Sequence, residues 1–130
     1  MDIIKVVCGI IWSDDKIFVC RRRKGKSMSG YWEFPGGKIE SGESQQEALK
    51  RELWEELEMK VEVGDYLGKS EHDYGSFIIE LYGYHCSVVT YKGKLSDHDS
   101  YQWVTADQLS EIGLTPADIP LAKMLAGEEQ

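Results

Sequence analysis

Glu52, Glu55 and Glu56 stand at i, i+3 and i+4. In a helix that spacing puts all three carboxylates on one face. Like charges so close repel, at about 0.2–0.5 kcal/mol for each uncompensated pair. A hard divalent cation removes the repulsion, and oxygen ligands are what magnesium prefers. The plainer alternative is a solvated helical face, its acids neutralised by Lys50 and Arg51. The residues ahead of the helix favour a cation. Pro35-Gly36-Gly37 lets the backbone turn sharply and come close to a neighbour. Glu43 adds another acid just before the helix would start.

The elements that must position these groups can be read outward from the helix. Ser44 is a good N-cap and Glu47 stands three residues on, the capping-box pattern. From Gln45 to about Met59 there is no Gly or Pro, and Leu49, Leu53 and Leu57 make one buried stripe. At about 100° per residue the glutamates lie beside that stripe, not opposite it. Upstream, Val6 to Trp12 and Lys16 to Arg22 read as strands joined by an Asp14-Asp15 turn, hence a hairpin. Lys24 to Gly30 is a loop, and Tyr31 to Phe34 is a short strand stopped by the glycines. Downstream, Val61 to Lys69, Phe77 to Thr90 and Tyr101 to Val104 read as strands, with a turn or loop at Lys92-Gly93-Lys94. Thr105-Ala106-Asp107 starts a short helix. Thr115-Pro116-Ala117-Asp118 has the N-cap, first-turn proline and acid of another, running to about Ala126. The order predicts an α+β fold, a mixed sheet with helices packed on it.

The 130 residues suit a single domain over 1–130, with no linker, repeat or low-complexity tract. The net charge of −8 disfavours polymeric nucleic acid as a partner but leaves a small anion open if cations intervene. No apolar run approaches the roughly 20 residues of a membrane span. The start, Met1-Asp2-Ile3-Ile4-Lys5, does not read as a signal peptide. Cys8, Cys20 and Cys86 lie in apolar stretches without CxxC spacing and read as reduced core thiols of a cytoplasmic protein.

The acidic turn belongs to a longer pattern. Gly37, five residues, Glu43, seven residues, Arg51-Glu52-Leu53, one residue and Glu55-Glu56 follow in register. This closely resembles the Nudix box, here about residues 37–59. The box then expects a helix-closing glycine where Glu58 stands, a departure that touches the helix end and not a metal ligand. Trp32-Glu33-Phe34-Pro35-Gly36-Gly37-Lys38 is similar to the segment leading into the box in the MutT-like branch. Leu114-Thr115-Pro116-Ala117-Asp118-Ile119-Pro120 is similar to the terminal motif of bacterial CTP pyrophosphohydrolases. The resemblance implies the Nudix α/β/α sandwich with a mixed sheet, the box forming a loop-helix-loop. It also implies a magnesium-dependent hydrolase acting on a nucleoside triphosphate; manganese as the ion and either a monomer or a homodimer stay open. Water would attack the β-phosphorus, giving nucleoside monophosphate and pyrophosphate. A catalytically silent Nudix domain that senses a nucleotide is the rival from another class. Its signature would be a lost box glutamate, and none is lost.

By the same resemblance, Glu52, Glu55 and Glu56 hold the metal with the Gly37 carbonyl, Glu56 being central. Arg51 orients the glutamates, and Glu43 supports the loop through it. The general base falls at Asp97, six residues before Trp103; Asp97-His98-Asp99 is similar to the family's Glu-His motif with a shorter acid. Glu55 or Glu56 is the alternative base, and His98 reads as a loop or capping histidine. The end of the second strand opens on the substrate cleft, so Arg22 or Arg23 would hold phosphate; a solvated hairpin end is the alternative. Gly36 and Lys38 join the substrate-binding set. Phe34 either flanks a base or packs in the core. Asp118 either reads an exocyclic amine such as that of cytosine or caps a helix. Relatives often carry a basic residue where Phe77 lies. Cytidine-type substrates, (d)CTP and its 5-substituted forms, are favoured, with 8-oxo-dGTP the alternative.

Overall fold

The computed structural model describes residues 2–127. Its strands are β1 (Asp2–Ser13), β2 (Lys16–Arg22), β3 (Trp32–Glu33), β4 (Gly36–Lys38), β5 (Lys60–Asp73), β6 (Phe77–Thr90) and β7 (His98–Val104). Two α-helices, α1 (Gln45–Leu57) and α2 (Ile119–Leu125), and a 3₁₀ helix (Ala106–Glu111) complete it. The strands form one sheet in the order β3-β2-β1-β6-β5, with β4 also pairing β1 and β7 also pairing β2. β1 and β6 run parallel from Asp2↔Phe77 to Trp12↔Ser87. The other pairs are antiparallel, so the sheet is mixed.

Both faces of the sheet are covered, which is why β1 and β2 read as near-continuous apolar runs. Val7, Ile11, Phe18 and Cys20 pack under Ala48, Leu49, Leu53 and Leu57 of α1. Cys8, Ile10, Ile17 and Val19 pack under Leu109, Leu114 and Leu121 on the other side. Each fully buried leucine contributes about 1.5–3 kcal/mol, so the stripe anchors α1 across the sheet. The result is the α/β/α sandwich expected from the sequence. Among the described residues, no helix is long and apolar enough to cross a membrane.

Several element ends differ from the sequence reading. Helix α1 stops at Leu57, not near Met59, because Glu58 itself takes the left-handed conformation (φ 48°) usually given to glycine. Its N–H reaches the Leu53 and Trp54 carbonyls, and Lys94 Nζ sits 2.7 Å from its carboxylate. These contacts offset the roughly 1–2 kcal/mol that a side chain costs in that conformation. β1 begins at Asp2, and β5 continues to Asp73, because β6 offers partners along that whole length. β7 begins at His98, which pairs with Arg22. Thr115 to Asp118 form a turn, with the Asp118 N–H 3.0 Å from the Thr115 carbonyl, and α2 starts only at Ile119.

Candidate active site

The loop and the helix of the box are clamped by one side chain. Arg51 Nε and Nη2 donate to the two Glu43 oxygens at 2.6 and 2.9 Å. The same guanidinium reaches the Lys38 carbonyl, Glu52 and Glu55, each at 3.1 Å. The Arg51 bonds hold the Glu43 carboxyl below the usual range, helped by the Glu40 N–H. Ser44 and Glu47 close the capping box at 2.9 and 3.0 Å and fix the start of α1 against this loop.

Within the clamp, Glu52 lies directly on Gly37, where any Cβ would collide with its carboxyl group. Glu56 is half-buried and hydrogen-bonded to Glu52; burial first, then Glu52, push it up to about 9. A carboxyl raised so far favours its protonated form at neutral pH. Glu55 is 58% exposed and turns to Arg51. A set of hard oxygens crowded enough to retain a proton, set against bare glycine backbone, fits a divalent cation in place of that proton.

A cavity of about 600 Å³ opens beside Glu56. Gly36, Gly37, Lys38, Arg22, Asp97, Phe34 and Asp118 line it. Ile4, Val6, Phe77, Ile79 and Leu81 form an apolar wall, with Tyr74 stacked on Phe77 at 5.5 Å. Of the three glutamates only Glu56 lines the cavity. Gly36 has no room for a side chain, since a Cβ would meet the Val7 carbonyl and, at 2.7 Å, the Cys8 Cα of β1.

Asp118 is 5% exposed and makes no capping hydrogen bond. Its Oδ2 instead accepts the Phe34 N–H at 2.7 Å, which replaces the helix-cap reading. Burial and the nearby Glu33 charge push Asp118 up to about 8, against the opposing pull of Phe34, Thr115 and Arg22. Phe34 is buried in the core on that face of the sheet and also lines the cavity. Arg22 is tied to Glu33 at 3.2 Å and to the Ser27 carbonyl at 2.6 Å. Arg23 is exposed and outside the lining, because β2 ends at Arg22 and the next side chain leaves the cavity. Asp97 pairs with Lys26 at 3.2 Å.

His98 is no loop or capping residue. It is buried in β7, with Nε2 2.7 Å from Glu33 Oε2 and Nδ1 without a partner. Glu33, absent from the sequence-derived site, thus lines the cavity between Arg22 and His98. Its place two residues before Pro35-Gly36-Gly37 was the available signal.

The family model for the NUDIX domain matches residues 6–124. The chain is 39% identical over 123 residues to the CTP pyrophosphohydrolase of Escherichia coli, covering 93% of this chain and 90% of that one. It is 32% identical over 111 residues to the 8-oxo-dGTP diphosphatase of Buchnera aphidicola, covering 84% and 82%. The solution structure of the E. coli ORF135 protein superposes with a TM-score of 0.82 at 37% identity, over 98% of this chain and 91% of that one. A glutamate turn clamped to a glycine loop at the mouth of a cavity, matched along nearly the whole sequence, places this chain in the Nudix hydrolase family.

Proposed function

We propose that the chain is a magnesium-dependent nucleoside triphosphate pyrophosphohydrolase that releases nucleoside monophosphate and pyrophosphate, with (d)CTP and 5-substituted dCTP favoured. One observation carries this reading: a single cavity joins the carboxylate Glu56 to the buried carboxyl Asp118. Its volume lies in the range of about 300–1,000 Å³ usual for small-molecule sites. One end suits a charged phosphate chain and the other a flat base.

When bound, the cation neutralises phosphate oxygens and acidifies the attacking water. Glu52, Glu55, Glu56 and the Gly37 carbonyl would hold it, and Arg51 keeps the glutamates and their loop in one geometry. Lys38 and Arg22 hold the phosphates; Gly36 keeps the backbone close beside them. Asp97 accepts the proton of the attacking water. Phe34 and the Tyr74–Phe77 pair flank the base, and a carboxyl oxygen of Asp118 accepts from the cytosine amine, more strongly once Asp118 ionises above about pH 8. The name of the E. coli relative supports the cytidine preference. The acidic net charge and the three free, buried cysteines accord with a small substrate and a reducing cytoplasm.

One observation favours a second substrate, 8-oxo-dGTP. With its carboxyl pushed up to about 8, Asp118 is protonated at neutral pH, and its O–H can donate to a purine carbonyl. Initial rates of pyrophosphate release from CTP, dCTP, 5-methyl-dCTP and 8-oxo-dGTP, with and without magnesium, separate the two. Cytidine preference predicts a kcat/KM advantage of about tenfold or more, worth about 1.4 kcal/mol, that grows above about pH 8. Equal rates for all bases would remove Asp118 as the reader. Failure with every triphosphate would remove the hydrolase reading itself.

A further inference from the structure

Cys20, Glu33 and His98 bring a sulfur, a carboxylate oxygen and an imidazole nitrogen within 4.8 Å of one another. The reaction proposed above uses none of the three. Strand pairing explains why they meet. Cys20 and Glu33 are direct partners across β2 and β3, so their side chains share a face. Arg22, two residues on, lies on that face too. The β2–β7 register slips between Arg21 and Arg22, so that Arg22 pairs with His98 where regular pairing would present Asp99. A bulge of this kind re-aims one side chain, and here it turns the imidazole onto the face of Cys20.

The surroundings are poor for a histidine and good for an ion. Cys20 and His98 are 0% and 4% exposed. Nδ1 of His98 has no hydrogen-bond partner, a buried deficit of about 1–3 kcal/mol. Sulfur, nitrogen and one carboxylate oxygen make a mixed donor set that magnesium refuses and zinc accepts. Zinc bonds of about 2.0–2.3 Å hold tetrahedral ligand atoms about 3.3–3.8 Å apart. The Glu33–His98 pair, now at 2.7 Å, would open by about 0.6 Å, and the other donor pairs, all within 4.8 Å, would close by at most about 1.5 Å. Glu33 lines the large cavity, so a fourth position would open there.

We propose that Cys20, Glu33 and His98 form a binding site for a soft divalent transition ion, zinc above all, distinct from the carboxylates of α1. An ion bound there shares the carboxylate that Arg22 now holds at 3.2 Å, which couples the site to the cavity wall.

Cobalt(II) titration of the whole chain tests the proposal, with magnesium at saturating concentration to occupy the carboxylates of α1. A thiolate-to-cobalt charge-transfer band should grow to about one equivalent and be bleached by zinc. It should vanish in Cys20→Ala, persist in Cys86→Ala, and need about 100-fold more cobalt in His98→Ala. If circular dichroism shows Cys20→Ala unfolded, Cys20→Ser keeps the volume and removes the thiolate. No band in the wild-type protein, or a band that survives loss of the Cys20 sulfur, overturns the site.

Discussion

Replacing Asp118 with asparagine tests the buried carboxyl at the inner end of the cavity. Asp118 is 5% exposed, and its one strong partner is the Phe34 N–H at 2.7 Å. Burial is the largest cause of its rise from 3.8 to about 8. An acid whose folded pKa exceeds its unfolded pKa takes up a proton on folding. Its stabilising contribution is therefore complete below about pH 3.8 and is lost as the pH rises through about 8. Each unit in that window is worth about 1.4 kcal/mol, so four units set a ceiling of about 6 kcal/mol. Relaxation and water penetration bring the measured figure to about half of that ceiling, on the order of 2–3 kcal/mol. Asparagine keeps an acceptor for Phe34 and does not ionise. Relative to the wild-type protein, Asp118→Asn should gain stability steadily from about pH 4 to 8 and then level off. Urea unfolding of both proteins at matched pH gives the difference, in which Glu56 and the other acids cancel. A difference that stays flat over that range would falsify the claim that Asp118 is neutral in the folded protein.

Three further outcomes follow from the box. Glu56→Gln should lower turnover by at least about 100-fold while the circular dichroism spectrum is retained; near-normal activity would remove Glu56 as a ligand. Because burial and Glu52 push Glu56 up to about 9, magnesium uptake at neutral pH should expel about one proton. Calorimetry in buffers of different ionisation heat reads that proton, and identical heats would show that Glu56 holds none. The two glycines should fail differently. In Gly37→Ala the new methyl strikes the movable end of Glu52, weakening magnesium binding in a folded protein. In Gly36→Ala it strikes the β1 backbone, lowering stability by about 1–3 kcal/mol. The reverse pattern in calorimetric binding and urea midpoints would contradict these contacts.

The two ends of the cavity differ in how far the chain reveals them. Helix α1 is legible because a cap, an unbroken run and a leucine stripe all fall within residues 44–57. The glutamates proposed to hold the metal share this stretch, so local spacing conveys their chemistry. β1 and β2 are legible for a different reason: with both faces covered, their apolar runs have few other fates. The exact end of α1 is not, because Glu58 has no conformational preference for the left-handed region and holds it through contacts to Leu53, Trp54 and Lys94.

The base end obeys long-range rules. Thr115-Pro116-Ala117-Asp118 spells a helix start, and local propensity alone would assign Asp118 to capping. The Phe34 N–H, 84 residues away and buried just past the end of β3, also needs an acceptor. Satisfying that donor outweighs a cap, whose orphan N–H groups can turn to solvent instead. Glu33 and His98 likewise meet across 65 residues through a one-residue slip in β7, which no spacing in the chain announces. On the proposed reading, phosphate chemistry is encoded in one continuous segment, whereas base recognition is assembled from β3, the β5–β6 turn and the residues before α2. Were Asp118 the base reader, a single substitution there would change the nucleotide preference and leave the box intact.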